Sequence, residues 1–192
     1  MELMQLKRSE IEDVYEITPA RHGDARGYFS ETFREDWFRA NVADVDFVQE
    51  NQSLSQQAGV VRGLHFQTEP HPQGKLVGCL SGAIFDVVVD IRKGSRTFGQ
   101  WTSFRLSAEE GNQLWVPAGF LHGFCTLEPD CLVSYKVTSY YSRDADKGVR
   151  WDDPAIGINW PDVADPTLLS PKDRTQPLLS ELPDYFRFGV KA

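Results

Sequence analysis

Leu76-Val77-Gly78-Cys79-Leu80-Ser81-Gly82-Ala83-Ile84-Phe85-Asp86-Val87-Val88-Val89-Asp90-Ile91 is the stretch that decides the fold. Two apolar runs rich in β-branched residues flank Ser81-Gly82, a pair suited to a hairpin turn. Asp86 and Asp90 break the second run and share one alternation face. Working outward, residues 101–106, 113–116 and 132–138 read as further strands. Gly94-Ser95, Glu110-Gly111-Asn112 and Pro117-Ala118-Gly119 punctuate them. Helix signals are few: one or two turns at 35–40 and one turn at 107–110. The tail from Trp151, rich in Pro and Asp, is expected to wrap the core irregularly, packing through Ile156, Ile158, Trp160, Leu168 and Leu169. Many short strands without a βαβ rhythm predict an all-β antiparallel sandwich or jelly roll.

The chain has 192 residues, a length that suits one domain over 1–192. Its net charge of −8 argues against nucleic acid as the main partner, although local arginines and lysines can still bind a small anion. No apolar run approaches the roughly 20 residues of a membrane helix, and residues 1–8 do not read as a signal peptide. Three cysteines, Cys79, Cys125 and Cys131, with no CxxC pair, argue against a disulfide framework or a cysteine zinc site. A reducing cytoplasm fits best.

The chemistry concentrates in Arg62-Gly63-Leu64-His65-Phe66-Gln67 and in Gln73-Gly74-Lys75. A histidine exchanges protons near neutral pH, and flanking cations hold an anion or stabilise an oxyanion. A single histidine in an apolar strand is more often a hydrogen-bonded core residue than a catalyst, but Arg62 and Lys75 strengthen the catalytic reading. Alternation puts His65 and Gln67 on one face, and Tyr135 and Tyr141 on one face if their strand runs that far. A phenol can return a proton to a carbanion. Asp173, in Ser170-Pro171-Lys172-Asp173, is either a local cap or the carboxylate that orients His65. Residues 22–31 read as a solvated hairpin.

Pro117-Ala118-Gly119-Phe120-Leu121-His122 resembles the second motif of cupin barrels, whose histidine faces the interior. His122 is then either a structural hydrogen-bonded residue or a ligand contact. No HxH pair accompanies it, and two histidines make a poor transition-metal site, so a metal-free barrel is expected. DARGYFSETF from Asp24, FVQENQS from Phe47, GVVRGLHFQ from Gly59 and QGKLV from Gln73 widen the resemblance. So do DVVVDIRKGSRTFGQW from Asp86, VPAGFLHGF, YKVTSYYS and WDDPAIGINWP from Trp151. In order and over nearly the whole chain, these resemble the dTDP-4-dehydrorhamnose 3,5-epimerase family, deoxysugar epimerases of the cupin superfamily.

The resemblance implies a cupin-type jelly-roll barrel with a few short helices and an irregular C-terminal tail. It also implies cofactor-independent epimerisation of a dTDP-linked 4-keto-6-deoxyhexose at C3 and C5. Matched by position, His65 is the base, Asp173 its dyad partner, Tyr135 the acid and Lys75 the enolate stabiliser. Arg26 and Arg62 would hold the diphosphate or sugar, with Gln49, Asn51 and His122 adding polar contacts. Glu31 matches a nucleotide or subunit contact, Tyr141 stacks on thymine, and Asp146 and Lys172 complete the substrate contacts. The family implies a homodimer that exchanges N-terminal strands. Three positions depart from the family pattern: His22 for phenylalanine, Gly78 for arginine and Asp146 for glutamate. Epimerisation at one carbon only, a non-catalytic sugar-nucleotide-binding cupin and a metal-dependent cupin are the competing readings.

Overall fold

The computed structural model describes residues 3–189, so the first two and last three residues of the expected domain lie outside it. In chain order the elements are β1 (Met4–Arg8), β2 (Tyr15–Pro19), β3 (His22–Asp24), β4 (Gly27–Phe29), α1 (Glu35–Asn41), β5 (Gln49–Ser55), β6 (Val61–Gln67), β7 (Lys75–Ser81) and β8 (Ala83–Asp90). They continue with β9 (Arg92–Lys93), β10 (Trp101–Ser107), β11 (Gln113–Val116), β12 (Phe120–Thr126), β13 (Cys131–Val137), β14 (Asp146–Gly148), α2 (Pro171–Arg174) and β15 (Phe186–Arg187). A six-stranded sheet, β1-β2-β11-β7-β13-β5, faces a five-stranded sheet, β10-β8-β12-β6-β14. All pairings within both are antiparallel. The expected all-β jelly roll is present, as two facing sheets rather than one closed barrel.

β8 shows why its sequence is almost continuously apolar. Ile84 and Val88 face the core between the sheets, with Val77, Leu106, Leu114, Phe124 and Val133. Val87 and Val89 face the other way, into a second core built with Leu64, Phe66, Leu121, Ile156 and Phe186. A strand buried on both faces loses the alternation that marks a half-exposed one. The tail supplies that second cover: Ile156 and Leu169 are buried, and Ile158 and Trp160 pack against the cores. A third core, under α1, joins Phe38, Leu76 and Trp115, with edge-to-face rings 5.2 Å apart at Phe38 and Trp115.

The expected helix at 35–40 is α1. The turn expected at 107–110 is not a helix: it is one isolated turn closed by the Gly111 N–H on Ser107 O at 2.8 Å, continuing directly from β10. Of the hairpin expected at 22–31, residues 22–29 form the exposed β3–β4 hairpin, paired only with itself, and the half-buried Ser30 and Glu31 follow it. Among the described residues, no helix is long and apolar enough to cross a membrane.

Candidate active site

Polar side chains gather in the space between the sheets, around a cavity of about 290 Å³. From the five-stranded sheet come Arg62 and His65 on β6 and His122 on β12; from the six-stranded sheet come Ser53, Lys75 and Tyr135. Tyr141, Asp146, Ser170, Lys172 and Asp173 line it too, and Phe66, Gln67, Gln73 and Phe124 complete the wall. Lys75 and Tyr135 follow simple alternation. Their neighbours Leu76 and Lys136 point away, while Val77 and Val133 join the core between the sheets.

Arg62 and His65 are three residues apart, a spacing that puts side chains on opposite faces of a regular strand. Both line the cavity because the β6–β12 register slips: His65 pairs with His122, but Arg62 pairs with Phe124. One extra residue on β6 is a bulge, which re-aims side chains beside it. Gly63 occupies the bulge with φ +136°, and a Cβ there would lie 2.6 Å from Gly123 Cα. Only glycine fits that backbone and that approach.

His65 Nε2 lies 2.5 Å from Asp173 Oδ1, a contact spanning 108 residues of sequence. Asp173 is also on a helix start, but Ser170 is the cap there, its Oγ accepting from Asp173 N at 3.1 Å. Burial disfavours the Asp173 carboxylate. The hydrogen bond and charge of His65, with Ser170 and Lys172, more than offset this and hold it below the usual range. A carboxylate at Nε2 fixes the tautomer and leaves Nδ1 as the basic nitrogen.

His122 lines the cavity too, but Asp86 holds its Nε2 with both oxygens, at 2.9 and 3.0 Å. His122 is thus a hydrogen-bonded residue, as one reading expected, and it also lines the cavity. Asp86, which the motif matching left without a role, is the partner of His122; its place inside an apolar strand, on the inward face, was the signal. Burial raises its pKa, against the opposing pull of His122 and Lys75.

Lys75 Nζ reaches His65 O at 3.4 Å. Desolvation lowers the Lys75 pKa to about 8, while Asp146 and Asp86 draw it back upward. Burial raises the Tyr135 phenol, partly countered by Arg62. The phenol therefore stays protonated at neutral pH, in the form that can donate.

β13 ends at Val137, so Tyr141 does not reach the cavity by strand alternation. Gln49 Oε1 accepts its backbone N–H at 3.0 Å, and Tyr141 OH donates to Asp146 Oδ2 at 3.1 Å. Gln49 and Asn51 lie on β5, bonded to each other at 2.8 Å, with Asn51 opposite Tyr135. Neither lines the cavity directly. Arg26 and Glu31 are not brought to this chain's cavity. Arg26 is exposed on the hairpin and paired with Asp24, and Glu31 is paired with Arg34. Among the described residues no group of three or more His, Cys, Asp or Glu is arranged to hold a metal ion.

The model of the dTDP-4-dehydrorhamnose 3,5-epimerase family matches residues 8–181. A dTDP-4-dehydrorhamnose 3,5-epimerase of Sinorhizobium fredii is 60% identical over 185 residues, covering 96% of this chain and 94% of that protein. The crystal structure of a dTDP-6-deoxy-D-glucose-3,5-epimerase from Legionella pneumophila, in complex with dTDP-4-keto-L-rhamnose, superposes with a TM-score of 0.91. It is 40% identical and covers 97% of this chain and 100% of that one. A dTDP-4-dehydrorhamnose 3,5-epimerase structure from Bacillus anthracis, with TDP and PPi bound, has a TM-score of 0.88 at 47% identity, covering 91% and 99%. On the motifs, the paired sheets and these likenesses, the chain belongs to the dTDP-4-dehydrorhamnose 3,5-epimerase family of carbohydrate epimerases.

Proposed function

We propose that this chain, acting as one domain, epimerises a dTDP-linked 4-keto-6-deoxyhexose at C3 and C5, with His65 as base and Tyr135 as acid. The observation that carries this reading is the His65–Asp173 contact in a cavity whose opposite wall bears Tyr135 and Lys75. The C4 ketone acidifies the hydrogens on C3 and C5. His65 Nδ1 removes one as a proton, and the C–H electron pair moves into the ring to leave an enolate with its charge on the C4 oxygen. The Lys75 ammonium stabilises that oxygen. Tyr135 O–H returns a proton to the opposite face, the electron pair re-forms the C–H bond, and the stereocentre inverts with no net redox change. The His65 imidazolium then releases its proton to solvent and the Tyr135 phenolate takes one up, which restores both starting forms.

The cavity has room for a sugar ring and not for a whole nucleotide sugar, so the nucleotide extends through the mouth. Arg62 there offers charge to a diphosphate, and Tyr141 a ring to the thymine. His122, Asp146 and Lys172 supply polar contacts, while Gln49, bonded to Asn51, acts by holding the Tyr141 backbone. Arg26 and Glu31 take part through a homodimer. β1 and β2 pair within the chain's own sheet through β11, with β1 at its edge, while the β3–β4 hairpin pairs only with itself and is the N-terminal element assigned to reach a second copy. Its Tyr28 and Phe29 are 59% and 71% exposed, which favours an occupied partner site over open water. A cytoplasmic location accords with three free cysteines.

Two variants test the assignment of base and acid. His65→Ala is expected to keep the fold and abolish solvent-deuterium exchange at both carbons. Tyr135→Phe is expected to keep exchange while inversion falls by about a hundredfold or more, because the base still works and the opposing acid is gone. Near-normal turnover in the His65 variant would remove it from the base role.

A further inference from the structure

Asp173 sits on a helix of four residues, α2, far below the length at which a helix holds itself in water. Ser170, Arg174 and Thr175 bond only within residues 167–175. Among the described residues, two side chains of 170–175 reach by hydrogen bonds beyond that segment. Asp173 goes to His65, and Lys172 goes to Asp146. Asp146 lies on β14, which pairs with β6 so that Asp146 faces Gln67 and Gly148 faces His65. The carboxylate that receives Lys172 is therefore fixed to the strand that carries His65. The same oxygen, Asp146 Oδ2, accepts from Tyr141 OH at 3.1 Å, and Tyr141 N is held by Gln49 on β5 of the other sheet. Adjacent residues of α2 are thus tied to one strand pair at neighbouring points.

We infer that the Asp146–Lys172 pair, braced by Tyr141, is a positioning latch that holds α2 so that Asp173 keeps its hydrogen bond to His65. The consequence for rate rests on the proposed base role of His65. Lys172 and Asp146 here act through Asp173, in addition to any contact with substrate. A carboxylate that drifts leaves the imidazole free to turn, and a misplacement of about 1 Å in a catalytic geometry costs on the order of a hundredfold in rate. Partial loosening is expected to cost less. Asp146 also raises the pKa of Lys75, so replacing it would change two things at once. Lys172, with a half-exposed side chain, is the cleaner position to alter.

The test compares Lys172→Met with Lys172→Arg, which keeps the charge, and with Tyr141→Phe, which keeps the ring and removes only the bond to Asp146. The first readout needs no substrate: the solvent-exchange rate of the His65 Nε2-bound proton, followed by NMR of the nitrogen-15-labelled protein. The latch predicts about tenfold faster exchange in Lys172→Met, a smaller increase in Tyr141→Phe and a rate near wild type in Lys172→Arg. The second readout is turnover of the dTDP-linked keto sugar, with kcat about tenfold lower in Lys172→Met and recovered in Lys172→Arg. Unchanged proton exchange in Lys172→Met, with KM raised and kcat intact, would overturn the latch and leave Lys172 as a substrate contact only. If the wild-type protein does not turn over the keto sugar, the proposed function fails, while the proton-exchange readout still decides the latch.

Discussion

At the residue scale, Lys75 links the cavity's electrostatics to its pH response. Its ammonium is withdrawn from water, and that desolvation brings its pKa to about 8. A lowered pKa means the cation is present below pH 8 and is lost as pH rises through about 8. If the cation stabilises the enolate oxygen, kcat/KM, which reports the free protein, should fall on the alkaline side with a midpoint near 8. Lys75→Met should lower kcat by about a hundredfold, the scale of losing one oxyanion partner, and abolish that limb. A pH–rate profile of both proteins checks this; an alkaline limb of unchanged position in the variant would assign it to another group. Several of these residues were legible in the sequence because their chemistry follows a period of two, as with Tyr135 beside Val133 and Val137. Asp173 was legible from the residues only as one of two alternatives, cap or partner of His65, and the family likeness chose between them, since its partner lies 108 residues away. Asp86 was visible as a charge inside a buried strand, but its bond to His122 depends on β8 and β12 being neighbours.

At the element scale, the bulge in β6 decides how the site is assembled. It brings Arg62 and His65 to one side of a strand whose regular pleat would separate them. Gly63→Ala forces a Cβ to within 2.6 Å of Gly123 Cα at a φ of +136°. The expected loss is about 1–3 kcal/mol of stability, measured by urea denaturation, together with weaker substrate binding as Arg62 is re-aimed. A variant as stable and active as the parent would show that the bulge tolerates a side chain. The hairpin strands at 76–80 and 83–91 were readable because turn chemistry and β-branched content agree there. The bulge was not, because a single extra residue leaves no mark in composition. The one turn expected at 107–110 is present as an isolated turn between the end of β10 at Ser107 and Gly111, which at φ +67° leaves the helical region. Tyr141 was expected on the wall by alternation; it arrives there by side-chain bonds after β13 has ended.

At the scale of the molecule, a chain of net charge −8 keeps Arg62, Lys75 and Lys172 around one cavity. Asp146 and Asp173 line the same cavity, so these cations lie against carboxylates rather than in a cleft of one sign. In the proposed homodimer, the β3–β4 hairpin, which carries Arg26 and exposed Phe29, would complete the site of the second copy. Phe29→Asp should shift the protein from dimer toward monomer in sedimentation velocity and reduce turnover, since Arg26 would leave the partner's cavity. A wild-type protein that sediments as a monomer with full activity would remove the hairpin from the mechanism. The tail's role as the outer cover of the five-stranded sheet was visible in its apolar residues; which sheet it covers was not, because that depends on long-range packing.

The most direct test of the account is to incubate the wild-type protein in deuterated water with a dTDP-linked 4-keto-6-deoxyhexose and follow the sugar by proton NMR. The account predicts that the C3 and C5 proton signals both disappear and that the product carries inverted configuration at both carbons. Retention of both signals would contradict it, and loss at one carbon alone would contradict the assignment of both.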